Sequence, residues 1–453
     1  MVKNVVESWQ IDPQAGPDSL EAKQPFIDNG LEVMDPARYY SKEFMALEWE
    51  HLWTRAWLIA GIETDIPEAG DFTVFRIRHE SIIVVRQKDG SVKAMYNACA
   101  HRGNQITQRD RGTAEEFTCS FHSWRYGLDG QCTRLTDGKT FNQQLLKTRP
   151  ALKAVHCETF AGLIFINLDD NPPPLKERFG LPEGYLEAYE LDKMHCVRHV
   201  VSEWAANWKS GVDAFYETYH LHVVHPETQD VMDDMGVQVD VYPHGCSRML
   251  VPIGVKTKRQ KDQESMNASL QYMLSEANID AQNFDGTAAD VRPAIQQAKR
   301  ERSDRLGLGY ERFTDGQLTD SWATGIFPNV QIGLHPEGAF LMRFMPHPTD
   351  PEKFTYDTMT LVRPVDDPDY SVPGWMGLPE GTDTTGTARP DIEYVPIGEP
   401  PNLGQVLDQD SELLPIVQRG IRSKGFDGAI WGEQEQRLRH FHVELNRYID
   451  GEK

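Results

Sequence analysis

Four residues in the first third of the chain form two short metal-ligand patterns. Cys99 and His101 are separated by one residue, Cys119 and His122 by two, so each loop offers one thiolate and one imidazole. A structural zinc ion accepts two Cys and two His at tetrahedral geometry, and ligand type alone leaves that reading open. The pairing argues against it, because a zinc finger places Cys-x-x-Cys on one loop and its two histidines on a helix. A second constellation occupies residues 207–226. Asp213, Glu217 and His220 fall at i, i+4 and i+7, one face of a helix. Two like charges in one stripe cost stability unless cations, hydrogen bonds or a metal offset them; a solvated acidic face is the plain alternative. His220, His222 and His225 are all candidate ligands. On a regular helix His222 and His225 share a face, whereas His220 and His225 diverge unless the helix ends or bends near Pro226.

The elements that must position these groups change character along the chain. Residues 1–44 are polar and Pro-rich and read as an arm. Ser41 to Trp57 carries Phe44, Leu47, Trp49, Leu52 and Trp53 at helical spacing. Short β-branched runs follow at Phe72, Ser81, Ser91 and Gly162, with a hairpin signal at Asp89-Gly90. A compact all-β domain is therefore expected over 45–170, and the run from Asp169 to Pro174 reads as a stiff break. Residues 175–453 mix helices with strands: 209–220, 263–277, 288–305, 408–422 and 434–448 read as helical, and 339–345 and 354–362 as neighbouring strands. The fold class is α+β. The highly charged stretch 255–320 reads as an insertion.

Composition narrows the function classes. At 453 residues, 39% hydrophobic and 25% charged, the chain suits more than one buried core and neither disorder nor coiled coil. The net charge of −23 disfavours nucleic acid or an anionic membrane as main partner. No signal peptide is evident, and no apolar run reaches the roughly 20 residues of a membrane span. Six scattered cysteines suit a reducing cytoplasm. Gly307-Leu-Gly309 lacks the third glycine and preceding strand of a dinucleotide fingerprint, so electrons for any redox step are expected in trans.

The run from Cys119 to Gly130 resembles the second ligand loop of Rieske iron–sulfur domains, with Ser120 where Pro is usual and Ser123 where Gly is usual. The run from Asn207 to Pro226 is similar to the Asn-Phe-x-Glu-x-Tyr-His-x₄-His-Pro motif of Rieske non-haem iron oxygenases, the ring-hydroxylating dioxygenase alpha subunits. Asp408 to Gly420 resembles a third motif of that family, with Gln409 where an acid is usual.

The resemblance implies an all-β Rieske domain followed by a helix-grip catalytic domain. It implies a two-iron, two-sulfur cluster on Cys99, His101, Cys119 and His122, and a mononuclear Fe(II) on His220, His225 and Asp410, a 2-His-1-carboxylate set. Asp408 and Glu412 are rivals for the carboxylate. Glu217 would bridge one subunit's cluster to its neighbour's iron, with Asp213 in support. Phe327, Asn329 and His222 would line the substrate pocket. A separate reductase, with or without a ferredoxin, would supply electrons to a homotrimer or an α₃β₃ assembly. The implied reaction is O₂-dependent cis-dihydroxylation of an aromatic ring. The alternative is monooxygenation or oxidative demethylation of a non-ring or quaternary amine substrate.

Overall fold

The computed structural model describes residues 12, 15–147, 150–367, 370, 372–386 and 388–453. The first eleven residues of the expected arm lie outside the described residues. The chain divides into two compact units, one of residues 48–178 and one of residues 1–47 with 179–453.

The smaller unit is built on a seven-stranded antiparallel sheet. Its strands run, edge to edge, Leu58–Ile62, Leu163–Asn167, Ala154–Phe160, Val92–Tyr96, Glu80–Arg86, Asp71–Ile77 and Arg111–Thr113. Ile82, Ile83, Val84 and Val85 are all buried, so this central strand is covered on both faces and reads as a continuous apolar run. Gly90, at φ +85°, turns the hairpin that Asp89-Gly90 predicts. A second, three-stranded sheet (Phe117–Thr118, Arg125–Tyr126, Cys132–Arg134) frames the loop carrying Cys119 and His122.

Two sequence expectations need adjustment here. The prolines at 172–174 lie inside this unit, because Trp57 Nε1 donates to the Pro173 carbonyl at 3.0 Å and Leu175 N to Glu158 Oε1 at 3.1 Å. The helix expected over 41–57 winds as α from Lys42 to Leu47, passes into a π-helix from Glu48 to Trp53, and stops there.

The larger unit holds an eight-stranded sheet. In order its strands are Gln238–Val241, Ser247–Val251, Ser321–Ile326, Val330–His335, Gly338–Pro346, Phe354–Val362, His195–Trp204 and Ile392–Val395. Every pairing is antiparallel except the last, where Ile392–Val395 runs parallel to His195–Trp204. The Trp208–Phe215 helix lies close on this sheet, and a Cβ at Gly211 would stand 2.7 Å from Phe344 and 2.9 Å from Phe354. The C-terminal helix Gln436–Ile449 buries Leu438, Phe441, Leu445 and Tyr448. Part of the arm is tied to the sheet by Arg248, which donates to the carbonyls of Leu20 and Ala22 and pairs with Asp240 at 2.8 Å. Within 255–320, helices Ala268–Glu276 and Ala288–Leu306 bury a small core of Leu270, Leu274, Val291 and Ile295. Among the described residues, no helix is long and apolar enough to cross a membrane.

Candidate metal centres

In the smaller unit both ligand loops are closed by backbone hydrogen bonds. Gly103 N donates to Cys99 O, Cys99 N to Asn104 O, Cys119 N to Trp124 O and Ser123 N to Cys119 O, all at 2.8–2.9 Å. These tight turns bring the two Cys–His pairs together. The His101 and His122 rings lie 4.5 Å apart, and His101 stacks on Trp124 at 4.7 Å. Both thiols are buried. The Tyr126 hydroxyl sits 3.1 Å from Cys99 Sγ, and Asn104 Nδ2 donates to Cys119 Sγ at 3.6 Å. Burial works against the Cys119 thiolate, yet the N–H groups of Phe121 and His122 and the side chains of Cys99 and Asn104 hold its pKa below the usual thiol range. Ser123 sits at φ +56°, a left-handed conformation that favours glycine.

In the larger unit the predicted helical face breaks up. The helix ends at Phe215, with Tyr216 capping it at φ −98°, ψ 8°. Glu217 and His220 then lie in an irregular turn, followed by a short helix Leu221–Val224 and a non-helical His225 at φ −123°, ψ 60° before Pro226. A regular helix would send His220 and His225 apart. Two interruptions let them converge on Asp410, which is buried on the Gln405–Ile421 helix. His225 Nε2 is 3.2 Å and His220 Nε2 3.9 Å from Asp410 Oδ1. One ligand atom from each of the three residues lies within 4.8 Å of the others. Of the rival acids, Glu412 is exposed and Asp408 accepts from Leu403 N near the helix start.

Each histidine is oriented from behind. Glu217 accepts from His220 Nδ1, and its other oxygen accepts from the N–H groups of Tyr219 and His220. Burial works to lower the His220 pKa, but Glu217 and Asp410 together raise it. Gln409 Oε1 accepts from His225 Nδ1 at 2.6 Å. Both Nε2 lone pairs are therefore turned toward Asp410. His225 Nε2 is buried with no hydrogen-bond partner, and so is His101 Nδ1 in the other unit. Buried acceptors without donors are what imidazole ligation to a metal requires, so the residues of both sites fit the expected iron groups.

Asp213 stands apart from the three-residue cluster. It accepts from the Tyr39 hydroxyl at 2.6 Å and from His442 Nε2 at 3.0 Å, while Arg38 donates to His442 Nδ1 at 2.8 Å. His222 also points elsewhere, with Nδ1 3.9 Å from Asp234 Oδ2. Phe327 and Asn329 are not among the residues bordering the cavity beside the cluster. Phe327 packs on Phe441 and Tyr448, and Asn329 donates to the Phe344 carbonyl at 3.3 Å; both are spent on the interior. The cavity of about 500 Å³ beside the cluster is bordered by Glu217, His220 and Asp410, with Leu413, Leu414 and Val417 in its wall. Glu435 also faces it, its carboxyl pushed up to about 7 by burial and by Glu217 and Asp213.

Sequence reasoning missed Tyr39, Gln409, Glu435 and His442 as members of this network. His442 had a readable signal, since it follows Leu438 by four on a helix whose buried side is apolar. Glu435 had none, because its raised pKa depends on carboxylates far away in sequence.

Two family models match the chain. Residues 191–451 match the model of the ring hydroxylating alpha subunit (catalytic domain), and residues 56–148 match that of the Rieske 2Fe-2S domain. The glycine betaine monooxygenase oxygenase subunit of Pseudomonas aeruginosa (strain UCBPP-PA14) is 30% identical over 392 residues, 86% of this chain and 82% of the relative. The chlorobenzene dioxygenase subunit alpha of Cupriavidus sp. (strain PS12) is 33% identical over 204 residues, 44% of this chain and 45% of the relative. Two solved structures share the fold. A quaternary ammonium Rieske monooxygenase gives a TM-score of 0.65 at 16% identity, covering 94% of this chain and 100% of that one. Naphthalene 1,2-dioxygenase from Rhodococcus sp. gives 0.62 at 19%, covering 93% and 95%. The chain belongs to the ring-hydroxylating alpha subunit family of Rieske oxygenases, whose members carry a two-iron, two-sulfur cluster and a mononuclear iron.

Proposed function

We propose that His220, His225 and Asp410 hold the mononuclear iron, that Cys99, His101, Cys119 and His122 hold the cluster, and that the chain is the terminal oxygenase of a reductase-fed system. The observation that carries this is the convergence of His220, His225 and Asp410 around a buried imidazole nitrogen that has no other partner. When bound, the iron supplies dioxygen activation and the cluster supplies single electrons. The protein's own contribution is orientation and proton placement. Glu217 keeps the proton on His220 Nδ1 and Gln409 keeps it on His225 Nδ1, so both Nε2 atoms remain donors to the metal. Tyr39 and His442 hold Asp213 as a hydrogen-bonded carboxylate on the cavity's rim. Leu413, Leu414 and Val417 keep the cavity wall apolar and limit water there.

Two reactions fit. Aromatic cis-dihydroxylation is supported by the chlorobenzene dioxygenase relative. Monooxygenation or demethylation of a quaternary amine is supported by the glycine betaine relative, which aligns with 86% of the chain rather than 44%. Electron supply by a reductase, with or without a ferredoxin, and assembly as a homotrimer or α₃β₃ are parts of this proposal. So is the treatment of 255–320 as an insertion. A cytoplasmic location is supported by the small number of cysteines, six in 453 residues, too few for a disulfide scaffold.

Turnover with reductase, NADH and labelled dioxygen over a panel of aromatics and quaternary amines tests the reading. Two labelled atoms per product mean dioxygenation and one means monooxygenation. Demethylation is read instead by released formaldehyde, whose oxygen exchanges with water. Sustained turnover with NADH and no reductase, or neither labelled product nor formaldehyde from any substrate, would overturn it.

A further inference from the structure

The turn that carries Glu217 and His220 lies outside regular helix, so tertiary ties must supply the hold that a helical hydrogen-bond ladder gives elsewhere. Two such ties bracket His220. Before it, the buried Thr218 donates its hydroxyl to the Asp234 carbonyl at 3.1 Å. After it, Gln229 Nε2 donates to the His222 carbonyl at 3.1 Å.

Both anchors are gripped from behind by residues 257–260, in the charged stretch that the metal cluster does not use. Thr257 is fully buried and reaches both: its N–H donates to the Gln229 carbonyl at 3.0 Å and its hydroxyl to Asp234 Oδ1 at 2.5 Å. Arg259 Nε donates to Asp234 Oδ2 at 2.7 Å. Gln260 Nε2 donates to the Gln229 carbonyl at 3.3 Å and to Asp230 Oδ1 at 2.9 Å. The Asp234 carboxylate is 3% exposed, and a carboxylate so placed is costly without a cation; Arg259 is that cation.

A buried ion pair could do no more than pin residues 257–260 to the fold. The Thr218 bond takes this one further, because it joins Asp234 to the neighbour of Glu217. We propose that Asp234 and Arg259 are positioning residues for the metal held by His220. Arg259 and Thr257 fix Asp234, Asp234 fixes Thr218, and Thr218 sets the turn from which Glu217 and His220 point. The proposal rests on the mononuclear iron reading above and assigns that site a support outside the family motif.

The test compares Thr218→Val, Thr218→Ser, Arg259→Met and Arg259→Lys in the full-length, iron-loaded chain. Iron release to a chelator and the EPR spectrum with nitric oxide as probe report the mononuclear site; visible absorbance reports the cluster. Thr218→Val and Arg259→Met should each speed release about tenfold and alter the EPR signal, with the cluster absorbance unchanged. Thr218→Ser and Arg259→Lys should recover most of the loss. The double variant Thr218→Val/Arg259→Met should release iron no faster than the faster single variant, because both act through one tie. Should Arg259→Met fail to fold, Thr218→Val leaves the ion pair in place and carries the test. A lowered thermal midpoint with iron release and EPR signal unchanged, or effects that multiply in the double variant, would overturn the proposal. An unaltered chain that takes up no iron beyond the cluster's would instead defeat the mononuclear reading, and this one with it.

Discussion

The loops of the β unit aim their ligands with backbone, whereas the larger unit aims its two histidines with side chains. Around Cys99 and Cys119, main-chain bonds such as Gly103 N to Cys99 O and Ser123 N to Cys119 O set the direction of each pair. Around Asp410, a carboxylate (Glu217) and an amide (Gln409) each hold one histidine by its far nitrogen. The difference teaches where each site is vulnerable. A backbone-built site fails when its turns are strained, and a side-chain-built site fails one partner at a time, with the fold intact. It also gives the two histidines unequal partners, since Glu217 brings a negative charge to His220 and Gln409 brings none to His225.

The largest effect should come from His225→Ala. Product formation should fall at least a thousandfold while the cluster still accepts electrons from reductase, followed by its visible absorbance; an unimpaired rate would break the distinction between the sites. Next, Gln409→Leu should lower iron affinity or activity about 10- to 100-fold, the range for partners that orient metal-bound histidines. Chelator competition measures this, and Gln409→Glu, which keeps the acceptor, should recover most of the loss.

A smaller effect concerns Glu435. Folding raises its carboxyl from 4.5 to about 7, so its contribution to stability is fullest below the unfolded pKa and is lost as pH rises through about 7. Glu435→Gln should therefore raise the thermal midpoint by roughly 2–4 °C above pH 7 and leave it unchanged below pH 5. An equal shift at both pH values would deny the carboxyl's role. The smallest effect is expected at Ser123, where Ser123→Gly should relieve the left-handed conformation and stabilise the β unit by roughly 0.5–1 kcal/mol in denaturant unfolding.

Much of this was legible in the sequence where chemistry is local. The Cys–His pairs, the β-branched strands and the Asp89-Gly90 hairpin all follow from short-range pattern. The break after Phe215 was not, because Asp213, Glu217 and His220 keep perfect helical spacing; tertiary convergence on Asp410 overrides that periodicity. Resemblance, not spacing, favours His225 over His222, and the non-helical backbone at His225 is something helical spacing does not anticipate. Phe327 and Asn329 sit in the turn between two strands, where a buried turn and a pocket wall carry the same residue types. Gln409 stood out as a departure from the family motif, but its bond to His225 needed the fold.

The central claim is that one chain carries both an iron–sulfur centre and a separate iron. Iron, zinc and acid-labile sulfide measured together on the purified chain test it most directly. The account predicts iron in excess of sulfide, about three to two per chain, with negligible zinc and with the excess iron absent from His225→Ala. Zinc without sulfide, or iron equal to sulfide in the unaltered chain, would contradict it.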